Sequence, residues 1–542
     1  MIETVYNHLF EFASGSLIKE IRMEKLQNAK DLRSGKINKI EALKETNSPL
    51  EFFQNLSTIC EAGLENLTDT HKEFLLKCFG IFHKEEGLFM LRLRIPAGQL
   101  EPYQALAIGG ISKEFGNNYI DITTRQQIEL RYLKLEDLPK IINKLKAVGI
   151  STFQTGIDNF RNIITSSFDG LGGFNIINCT GLVHEMQEIF FKKEEWLGTL
   201  PRKFNTGILG TTINDCNIYG QDCSFVVAKR EDVFGFHLLL GGKVGVQATD
   251  CGIFIEEKDV ITVYKAVIHL FKEFGFRDNR NKNRLHFLLV AVGIEEFAKA
   301  IKTYTNIDFR EGGEILATHE LQIENDCLVE IDDTFTAYGV TIPSGILSGS
   351  DMMDVAKLAM ECDGKIRLTV EQSLYLVCEN SFIQTIHNSN LAKKYSKYQN
   401  IFFRNMIACA GTKTCSFGVI DSKSLAIDMA NFLQNEFPQM EGKIRFYWSG
   451  CPKGCGIHGV GDIGFEGCKT KDEAGNRCDG LHIFVGGKAT KETGEAKILH
   501  KALPFEVAKE KVKELVLDYQ NDKLENESFE AFHSRVTCIY TI

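Results

Sequence analysis

Proline and long apolar runs are both scarce in this chain. Only 9 prolines occur in 542 residues, which argues against long disordered linkers, and a hydrophobic fraction of 44% is enough to form ordered cores. The longest apolar run, LHFLLVAVGI at 285–294, has about half the length that a membrane span needs. The amino terminus carries Glu3 and no cationic segment leading into an apolar stretch, unlike a secretory signal. We therefore predict an ordered, cytoplasmic protein that is not inserted in a membrane.

The chain also lacks a basic excess and a nucleotide-binding fingerprint. Its net charge of −10 argues against a general nucleic-acid binder, because neutralising phosphates requires surplus Lys and Arg. The glycine pairs at 241–242 and 486–487 lie in strand-like segments, without the GxGxxG pattern that opens a helix in dinucleotide-binding folds. We predict neither a nucleic-acid partner nor a bound flavin or nicotinamide.

The sequence does contain one long internal repeat. Four segments recur in the same order at offsets between 243 and 247 residues. The pairs are RIPAGQL (94–100) with TIPSGIL (341–347), YIDITTRQQIEL (119–130) with KIRLTVEQSLYL (365–376), FRNIITSS (160–167) with FRNMIACA (403–410), and GFHLLLGGKVG (235–245) with GLHIFVGGKAT (480–490). A period of this length indicates duplication of a whole module, which gives two pseudo-symmetric halves and favours a site shared between them.

Local patterns within the repeat predict mixed strands and helices. The alternation of apolar and polar residues over 119–133 predicts a strand, and the helical spacing over 135–149 predicts a helix that stops at Gly149. The fold class is therefore α+β, internally duplicated. Residues 250–325 show no repeat partner, and we expect them to pack between the halves.

Sixteen cysteines are present, and four of them cluster among glycines in the second half. In a reducing compartment, clustered cysteines indicate metal ligands or catalytic thiols rather than disulfides. Cys409 and Cys415 are six positions apart and Cys451 and Cys455 four apart, so neither pair has the CxxC spacing of zinc ribbons or dithiol enzymes. Four thiolates fit an iron-sulfur cluster or a tetrahedral zinc ion, and a merely structural role is the third alternative.

The first half lacks these cysteines, with Ser166 near the position that matches Cys409, and carries a set of cations instead. They fall in the repeated segments or just beyond them and are Arg94, Arg125, Arg131, Arg161, Arg202 and Lys203. Taken singly, each is most simply a surface charge or a salt-bridge partner. As a converging set beside a redox centre, they would form an anion-binding site, with arginine binding in a bidentate way and lysine acting as a compact charge or proton source.

Together these motifs resemble the siroheme-dependent nitrite and sulfite reductase family, on its ferredoxin-dependent branch. The resemblance rests on ACAGTKTC (408–415) and SGCPKGCGIHGVGDIGFEG (449–467), with RLRIPAGQL, ITTRQQIELR, FRN and LPRKFN upstream, and it covers about residues 85–500. It implies a 4Fe-4S cluster bound by Cys409, Cys415, Cys451 and Cys455, with Cys455 also bridging to the iron of a siroheme. The sequence departs from the family pattern at Lys453, which adds a positive charge beside the expected cluster.

The resemblance also implies roles for individual side chains. The substrate anion would be surrounded by Arg94, Arg161, Lys203 and Asn205. The siroheme carboxylates would be bound by a larger set, namely Thr124, Arg125, Gln126, Arg131, Arg277, Arg280, Lys282 and Arg284. Lys203 is the leading candidate for proton delivery.

Five domains follow from the repeat and the resemblance. They are a mainly helical extension (1–75), a first ferredoxin-like half-domain (76–150), a first siroheme-binding domain (151–325), a second ferredoxin-like half-domain (326–395), and an iron-sulfur and siroheme-binding domain with a carboxy-terminal tail (396–542).

The choice between nitrite and sulfite as substrate rests on three positions. Asn205 stands where sulfite-reducing relatives typically have a second lysine, Arg131 stands where they more often have histidine, and TVEQ (369–372) resembles the nitrite branch. We therefore predict a monomeric enzyme that reduces nitrite to ammonia with electrons from ferredoxin, and sulfite reduction is the alternative. A non-catalytic sensor or electron carrier and a zinc-stabilised anion-binding protein are the rivals from other classes.

Overall fold

A computed structural model describes residues 23–84, 87–318, 327–489, 494–525 and 527–539. Within these ranges no helix is both long and apolar enough to cross a membrane. The first 22 residues of the predicted helical extension, and the residues around the predicted boundary at 325, lie outside the described ranges.

The described helices are distributed over the whole chain. They are α1 (Glu24–Asp31), α2 (Lys39–Thr46), α3 (Pro49–Gln54), α4 (Leu56–Glu61), α5 (Leu76–Cys78), α6 (Pro102–Phe115), α7 (Leu138–Ala147), α8 (Thr180–Glu188), α9 (Val260–Phe274), α10 (Leu285–Val292), α11 (Ile294–Thr305), α12 (Gly349–Glu361), α13 (Ile383–Asn388), α14 (Asn390–Tyr395), α15 (Ile401–Arg404), α16 (Gly411–Thr414), α17 (Ser422–Glu436), α18 (Phe505–Asp522) and α19 (Phe529–Ile539).

The strands form four sheets, one of seven strands and three of five, and we call the two with the fewer strand residues the smaller sheets and the other two the larger sheets. The smaller sheets contain β1 (Ile81–His83), β2 (Phe89–Arg92), β3 (Gln99–Leu100), β4 (Tyr119–Ile122), β5 (Ile128–Leu133), β13 (Leu328–Glu330), β14 (Phe335–Val340), β15 (Ile346–Ser348), β16 (Lys365–Leu368) and β17 (Leu374–Glu379). The larger sheets contain β6 (Phe160–Ile164), β7 (Phe204–Leu209), β8 (Cys223–Arg230), β9 (Val233–Leu240), β10 (Thr249–Glu256), β11 (Arg310–Glu311), β12 (Glu314–Ile315), β18 (Met406–Ala408), β19 (Phe446–Ser449), β20 (Ile463–Lys471), β21 (Arg477–Val485) and β22 (Lys497–Pro504).

The two smaller sheets exchange strands. Their orders are β1-β2-β5-β4-β15 and β13-β14-β17-β16-β3, so each half contributes an edge strand to the sheet of the other. Ile346 of β15 pairs with Asp121 of β4, and Gln99 of β3 pairs with Arg367 of β16. Because the exchange is reciprocal, the two halves are joined by backbone hydrogen bonds in both directions.

The two larger sheets share one topology. β6-β7-β8-β9-β10 and β18-β19-β20-β21-β22 are each parallel across the first two pairs and antiparallel across the last two. This agreement confirms the predicted internally duplicated α+β fold.

The expectation for residues 250–325 was wrong at its start. β10 is the fifth strand of the first larger sheet, and α9 follows it as α18 follows β22 in the second. Phe271 of α9 stacks near Phe204 of β7, with ring centroids 5.6 Å apart, and both side chains are fully buried. This region therefore has a structural counterpart and packs on its own sheet; only its sequence has diverged beyond recognition.

The segment 119–133 forms a hairpin rather than the single predicted strand. β4 and β5 pair antiparallel around a five-residue loop. In that loop the Arg125 N–H donates to Thr123 Oγ1, and Gln126 adopts a left-handed backbone with φ 53°. The predicted helix is confirmed as α7, which is followed by Gly149 at φ 77°.

A pair of equivalent glutamines connects the halves at the centre. Gln126 and Gln372 both occupy left-handed turns, and both are buried. Each side-chain amide forms hydrogen bonds with the backbone of both halves. The carbonyl oxygens of Thr165 and Leu368 accept from Gln126, at 2.9 and 3.1 Å, while Gln372 donates to Ile122 O at 2.9 Å and accepts from Ala408 N at 2.8 Å.

The helices α6 and α12 pack closely enough to require glycine at their contact. A Cβ atom on Gly109 would lie 2.5 Å from the carbonyl oxygen of Gly349, and a Cβ on Gly349 would lie 2.6 Å from that of Gly109. Any larger residue at either position must push the helices apart.

Candidate cofactor and anion site

The four cysteines of the repeat's second half line one cavity. Cys409 follows β18, Cys415 follows α16, and Cys451 and Cys455 follow β19. Among the described residues, no three His, Cys, Asp or Glu side chains converge on a point that could hold a single ion. Thiols spread around a shared cavity fit a multi-iron cluster better than one tetrahedral zinc, whose ligands would meet about 2.3 Å from the metal.

The backbone around Cys409 shows why glycine and serine accompany these cysteines. The Gly450 N–H donates to Cys409 Sγ at 3.0 Å, and the Ser422 hydroxyl, at the start of α17, donates to the Cys409 carbonyl at 2.7 Å. A Cβ on Gly411 (φ 61°) would lie 2.6 Å from the Ser422 nitrogen. Amides directed at sulfur stabilise a thiolate and tune a cluster that it binds.

The facing wall of the cavity is cationic and has unpaired polar atoms. Thr124 and Arg125, from the β4–β5 loop, line the cavity together with the cysteines. A buried side-chain atom without a hydrogen-bond partner occurs on Arg125 (Nε), which lines the cavity, and others occur outside that lining on Arg161 (Nε and Nη1) and Asn205 (Oδ1). Such orphaned groups are costly unless a ligand satisfies them, and an anionic ligand with several carboxylates fits the guanidinium donors.

Lys203 lies within electrostatic range of this group. Burial, then the positive charges of Arg284 and Arg125, lower the pKa of Lys203 well below the ordinary lysine range. The thiol of Cys455 is also near enough to act on Lys203 in the opposite direction. Lys203 therefore gives up its proton more readily than an ordinary lysine.

Arg161 is in the same electrostatic environment. Its pKa is lowered by burial and then by the charges of Arg92, Arg125 and Arg202. One guanidinium nitrogen donates to the Ile157 carbonyl at 2.7 Å, which leaves the unpaired Nε and Nη1 for a ligand.

Arg94, predicted to bind the substrate, is engaged elsewhere. Its guanidinium donates to four backbone carbonyls, those of Phe153, Gln154, Phe160 and Arg161, and it is 2% exposed. Among the described residues, Arg161 keeps buried guanidinium nitrogens without a partner, whereas Arg94 keeps none for a ligand. This geometry corrects the predicted role to that of a buried cross-link under β6.

Arg92 is the arginine of β2 that does line the cavity, and sequence reasoning missed it. Its Nε and Nη2 contact Glu129 Oε1 at 2.9 and 2.7 Å, and its Nη1 donates to the Thr155 carbonyl at 3.1 Å. The signal in the sequence was the LRLR alternation, which offers two arginines and does not indicate which of them meets the site.

Arg131 belongs to a buried network of charges beside the cavity. It forms ion pairs with Asp121 and Glu129, and Lys423 of α17 donates to Asp121 at 2.8 Å. Burial opposes ionisation of Glu129, but Arg92 and Arg131 outweigh it and lower the pKa of Glu129 to about 2. Because both carboxylates occupy the Arg131 fork, this side chain has little left to offer a cofactor carboxylate.

Four of the other predicted cofactor contacts, Gln126, Arg277, Arg280 and Arg284, have protein partners. The amide of Gln126 is used between the halves, as described above. Arg277 pairs with Glu41 at 2.6 Å, Arg280 binds Asp158 through two nitrogens at 2.7 and 2.8 Å, and Arg284 binds Asp222 at 2.6 Å. Lys282 is exposed, and Arg202 donates to the Arg280 carbonyl at 3.1 Å. Only Arg284 of these acts electrostatically on Lys203 and Arg125.

The comparisons with known proteins agree with this geometry. Residues 156–309 and 401–533 match the nitrite and sulphite reductase 4Fe-4S domain, and residues 82–148 and 330–377 match the nitrite/sulfite reductase ferredoxin-like half domain. The chloroplastic ferredoxin–nitrite reductase of Spinacia oleracea is 30% identical over 88% of this chain and 84% of its own length. The ferredoxin–nitrite reductase of Synechococcus elongatus is 31% identical over 84% and 91%.

A solved structure supports the fold independently. The NirA protein of Mycobacterium tuberculosis superposes with a TM-score of 0.85 over 93% of this chain and 97% of its own, at 23% identity. Duplicated halves, four cysteines in one cavity and an opposing cationic wall define a redox enzyme with an iron-sulfur centre. The chain belongs to the nitrite and sulfite reductase family. This membership confirms the predicted fold, the oxidoreductase class and the cofactor pair of siroheme and a 4Fe-4S cluster.

Proposed function

We propose that this protein reduces nitrite to ammonia in a six-electron reaction and receives the electrons from ferredoxin. The observation that carries the proposal is the pairing of four cysteines with the cations Arg92 and Arg125 around one cavity, where the buried Nε of Arg125 has no hydrogen-bond partner. The names of the Spinacia and Synechococcus relatives support nitrite as the substrate and ferredoxin as the donor.

The cysteine wall would hold the redox centre. Cys409, Cys415, Cys451 and Cys455 are the proposed cluster ligands, and Cys455 is the proposed ligand shared with the siroheme iron. When bound, this cofactor pair would supply the electrons for reduction of the substrate anion. The exposure of Cys455, in contrast to the partly buried other three, supports its role as the ligand that faces a second cofactor.

The cationic wall would bind the substrate anion. Arg161 has two unpaired nitrogens, and Arg92 and Lys203 add positive charge close to it. Cations placed here would hold the anion and favour breaking of the nitrogen–oxygen bonds as oxygen leaves in water. We assign Arg92, rather than Arg94, to this group.

Lys203 would deliver protons to the leaving oxygen. A donor is most effective when its pKa lies near the working pH, and burial together with neighbouring cations moves the pKa of Lys203 in that direction. Asn205, two residues further on, keeps one unpaired oxygen and adds no charge, which suits the smaller monovalent nitrite better than sulfite.

A comparison of substrates tests the proposal directly. Anaerobically purified, cofactor-loaded protein would be assayed with reduced methyl viologen and either nitrite or sulfite, with ammonia and sulfide quantified. A much larger kcat/KM for nitrite is expected. A preference for sulfite would reverse the substrate assignment, and turnover of neither would favour the sensor or carrier alternative.

Two variants sharpen this test. Cys455→Ser should lose the coupled siroheme and cluster centre, and full activity in that variant would refute the ligand assignment. Asn205→Lys should shift the ratio of kcat/KM values toward sulfite, and an unchanged ratio would remove the argument from pocket charge.

Several sequence predictions remain proposals. They are the monomeric state, the cytoplasmic location and the domain boundaries at residues 75, 150, 325 and 395. The free thiols of the described cysteines support a reducing location.

A further inference from the structure

The duplication places a second cavity in the molecule, on the other side of the central turns. Gln372 lines the cysteine cavity, whereas its neighbour Glu371 lines the second cavity. The walls of this second cavity also include Asp215, Thr341, Arg404 and Lys443.

Strand register identifies the equivalent residues in the two cavities. Ile163 pairs with Thr206 in the first larger sheet, and Met406 pairs with Phe446 in the second. Since FRNI and FRNM are repeat partners, Arg404 is equivalent to Arg161, and counting back three residues from Thr206 and Phe446 makes Lys443 equivalent to Lys203. The two leading cations of the proposed anion site therefore have counterparts in the second cavity.

A comparison of the loops that follow β7 and β19 identifies the equivalent of Asp215. Asn217 and Ile457 both adopt left-handed backbone, with φ 50° and 48°, immediately before equivalent helical turns. Two residues earlier in each loop stand Asp215 and Cys455. The position of the proposed shared cofactor ligand is thus occupied by a carboxyl group, so the second cavity lacks the thiolate that siroheme iron would need.

The ammonium of Lys443 and one carboxyl oxygen of Asp215 have no hydrogen-bond partner among the described residues. In the part of the chain that the structure describes, Lys443 makes no hydrogen bond or ion pair. Asp215 accepts the Ser167 N–H through Oδ2 at 2.9 Å, while its buried Oδ1 has no partner. The unpaired buried carboxyl oxygen is costly, and a ligand bonded to it removes that cost. Lys443 is half-buried and within electrostatic range of Glu371, and it supplies a positive charge beside this oxygen.

Size and chemistry limit what that ligand can be. The cavity measures about 50 Å³, and one water requires about 10–15 Å³ by this measure, so it accommodates about four non-hydrogen atoms. Arg404 and Lys443 make the wall unfavourable for a metal cation. Burial raises the pKa of Asp215 and that of Glu371, which favours their protonated forms as hydrogen-bond donors toward an acceptor.

We propose that this second cavity binds a small anion of about four non-hydrogen atoms, held between Lys443 and the carboxyl group of Asp215. The site is distinct from the cysteine cavity and goes beyond the proposed nitrite reduction. The second cavity arose from the same duplicated module and keeps the equivalents of the two anion-binding cations. Asp215, which replaces the proposed shared cysteine ligand, excludes the redox cofactor from it.

Bromide soaking of holoenzyme crystals tests the proposal, because the anomalous signal of bromide locates an anion without reference to turnover. Wild-type crystals should show a peak in contact with Lys443 Nζ. The peak should disappear in Lys443→Met and persist in Lys443→Arg, which keeps the charge. Asp215→Asn should also keep the peak, since an amide still donates to an anion.

A soak of the same crystals in rubidium, which is a cation, tests whether the cavity binds positive charge instead. No rubidium peak is expected in this cavity. Absence of bromide from wild-type crystals, its persistence in Lys443→Met, or rubidium in its place would each overturn the proposal. A bromide peak in an enzyme without nitrite turnover would refute the proposed function and leave this site intact.

Discussion

Lys203 connects the electrostatics of the site to a measurable pH profile. Its depressed pKa means that the protonated form is lost at a pH below the ordinary lysine value of about 10.4. We expect kcat/KM for nitrite to fall as pH rises through that depressed pKa. Lys203→Arg should remove this alkaline limb, since arginine stays protonated, and should lower kcat by about 10²–10⁴ because arginine releases no proton. The control is Lys469→Met, which changes an exposed lysine near the end of β20, and an unchanged limb in Lys203→Arg would contradict the assignment.

Lys453 is the departure from the family pattern that stands nearest to the cysteines. Its backbone N–H donates to Cys451, and its ammonium lies 3.0 Å from the ring centroid of the exposed Phe417. Lys453→Gln removes a positive charge beside the cluster and should lower the midpoint potential measured by EPR-monitored titration, by on the order of a few tens of millivolts after solvent screening.

Lys413 is the matched control for that titration. It also lies between cluster ligands, but its charge is compensated by Asp421 at 2.9 Å. Lys413→Gln should therefore shift the potential less than Lys453→Gln. Equal shifts in the two variants would show that the local contact of Lys453 has no special effect.

Single residues also show what the sequence can and cannot predict. The cysteine set is readable because four thiols with glycines satisfy a demanding chemical pattern within one short region. Arg92 and Arg94 are not separable in this way, since both are arginines in one alternating segment. Their roles depend on Glu129 for one and on a group of backbone carbonyls for the other, which the chain brings together only on folding.

Among secondary-structure elements, α6 and α12 offer a sharp test of packing. Gly109→Ala places a Cβ 2.5 Å from the Gly349 carbonyl and should destabilise the fold by about 1–3 kcal/mol, the usual cost of overpacking. Gly110→Ala, on the same helix, has no atom within 4 Å of its new Cβ. That control should be neutral or stabilising by up to about 1 kcal/mol, because alanine favours helix. Similar denaturant midpoints for the two variants would contradict the close contact.

The β4–β5 hairpin shows where element prediction fails. Its loop, TTRQQ, contains neither glycine nor proline, so the alternating pattern passes through the turn without interruption. Side-chain bonds to the backbone replace the usual turn residues, and Gln126 accepts a left-handed conformation because its amide is fixed by the other half. A turn stabilised by distant residues carries no local signal.

For the molecule as a whole, the repeat predicted two halves but not how they are joined. Duplicated segments indicate equivalent elements, whereas the reciprocal exchange of β3 and β15 is a property of pairing between them. The counterpart of β10 and α9 was also invisible, because the exposed positions of β10 are not constrained by packing and the buried positions of α9 tolerate apolar substitutions of similar volume. Fold similarity therefore extends further than sequence similarity within this one chain.

The two central glutamines test whether that joining serves the cofactor as well as the fold. Gln372→Leu leaves the Ala408 N–H and the Ile122 carbonyl without partners, at a cost of about 1–3 kcal/mol each, and Ala408 immediately precedes Cys409. Gln126→Leu leaves the carbonyl oxygens of Thr165 and Leu368 without these hydrogen bonds. Thr165 is the equivalent of Ala408, but the residue after Thr165 is Ser166 rather than a cysteine. Both variants should lower the unfolding midpoint by similar amounts, whereas iron content per chain should fall in Gln372→Leu alone. The two variants should differ in iron content because the turn of Gln372 supports the segment before Cys409, whereas the turn of Gln126 supports the segment before Ser166. Equal iron loss in both would mean that the glutamines affect the cluster only through overall stability.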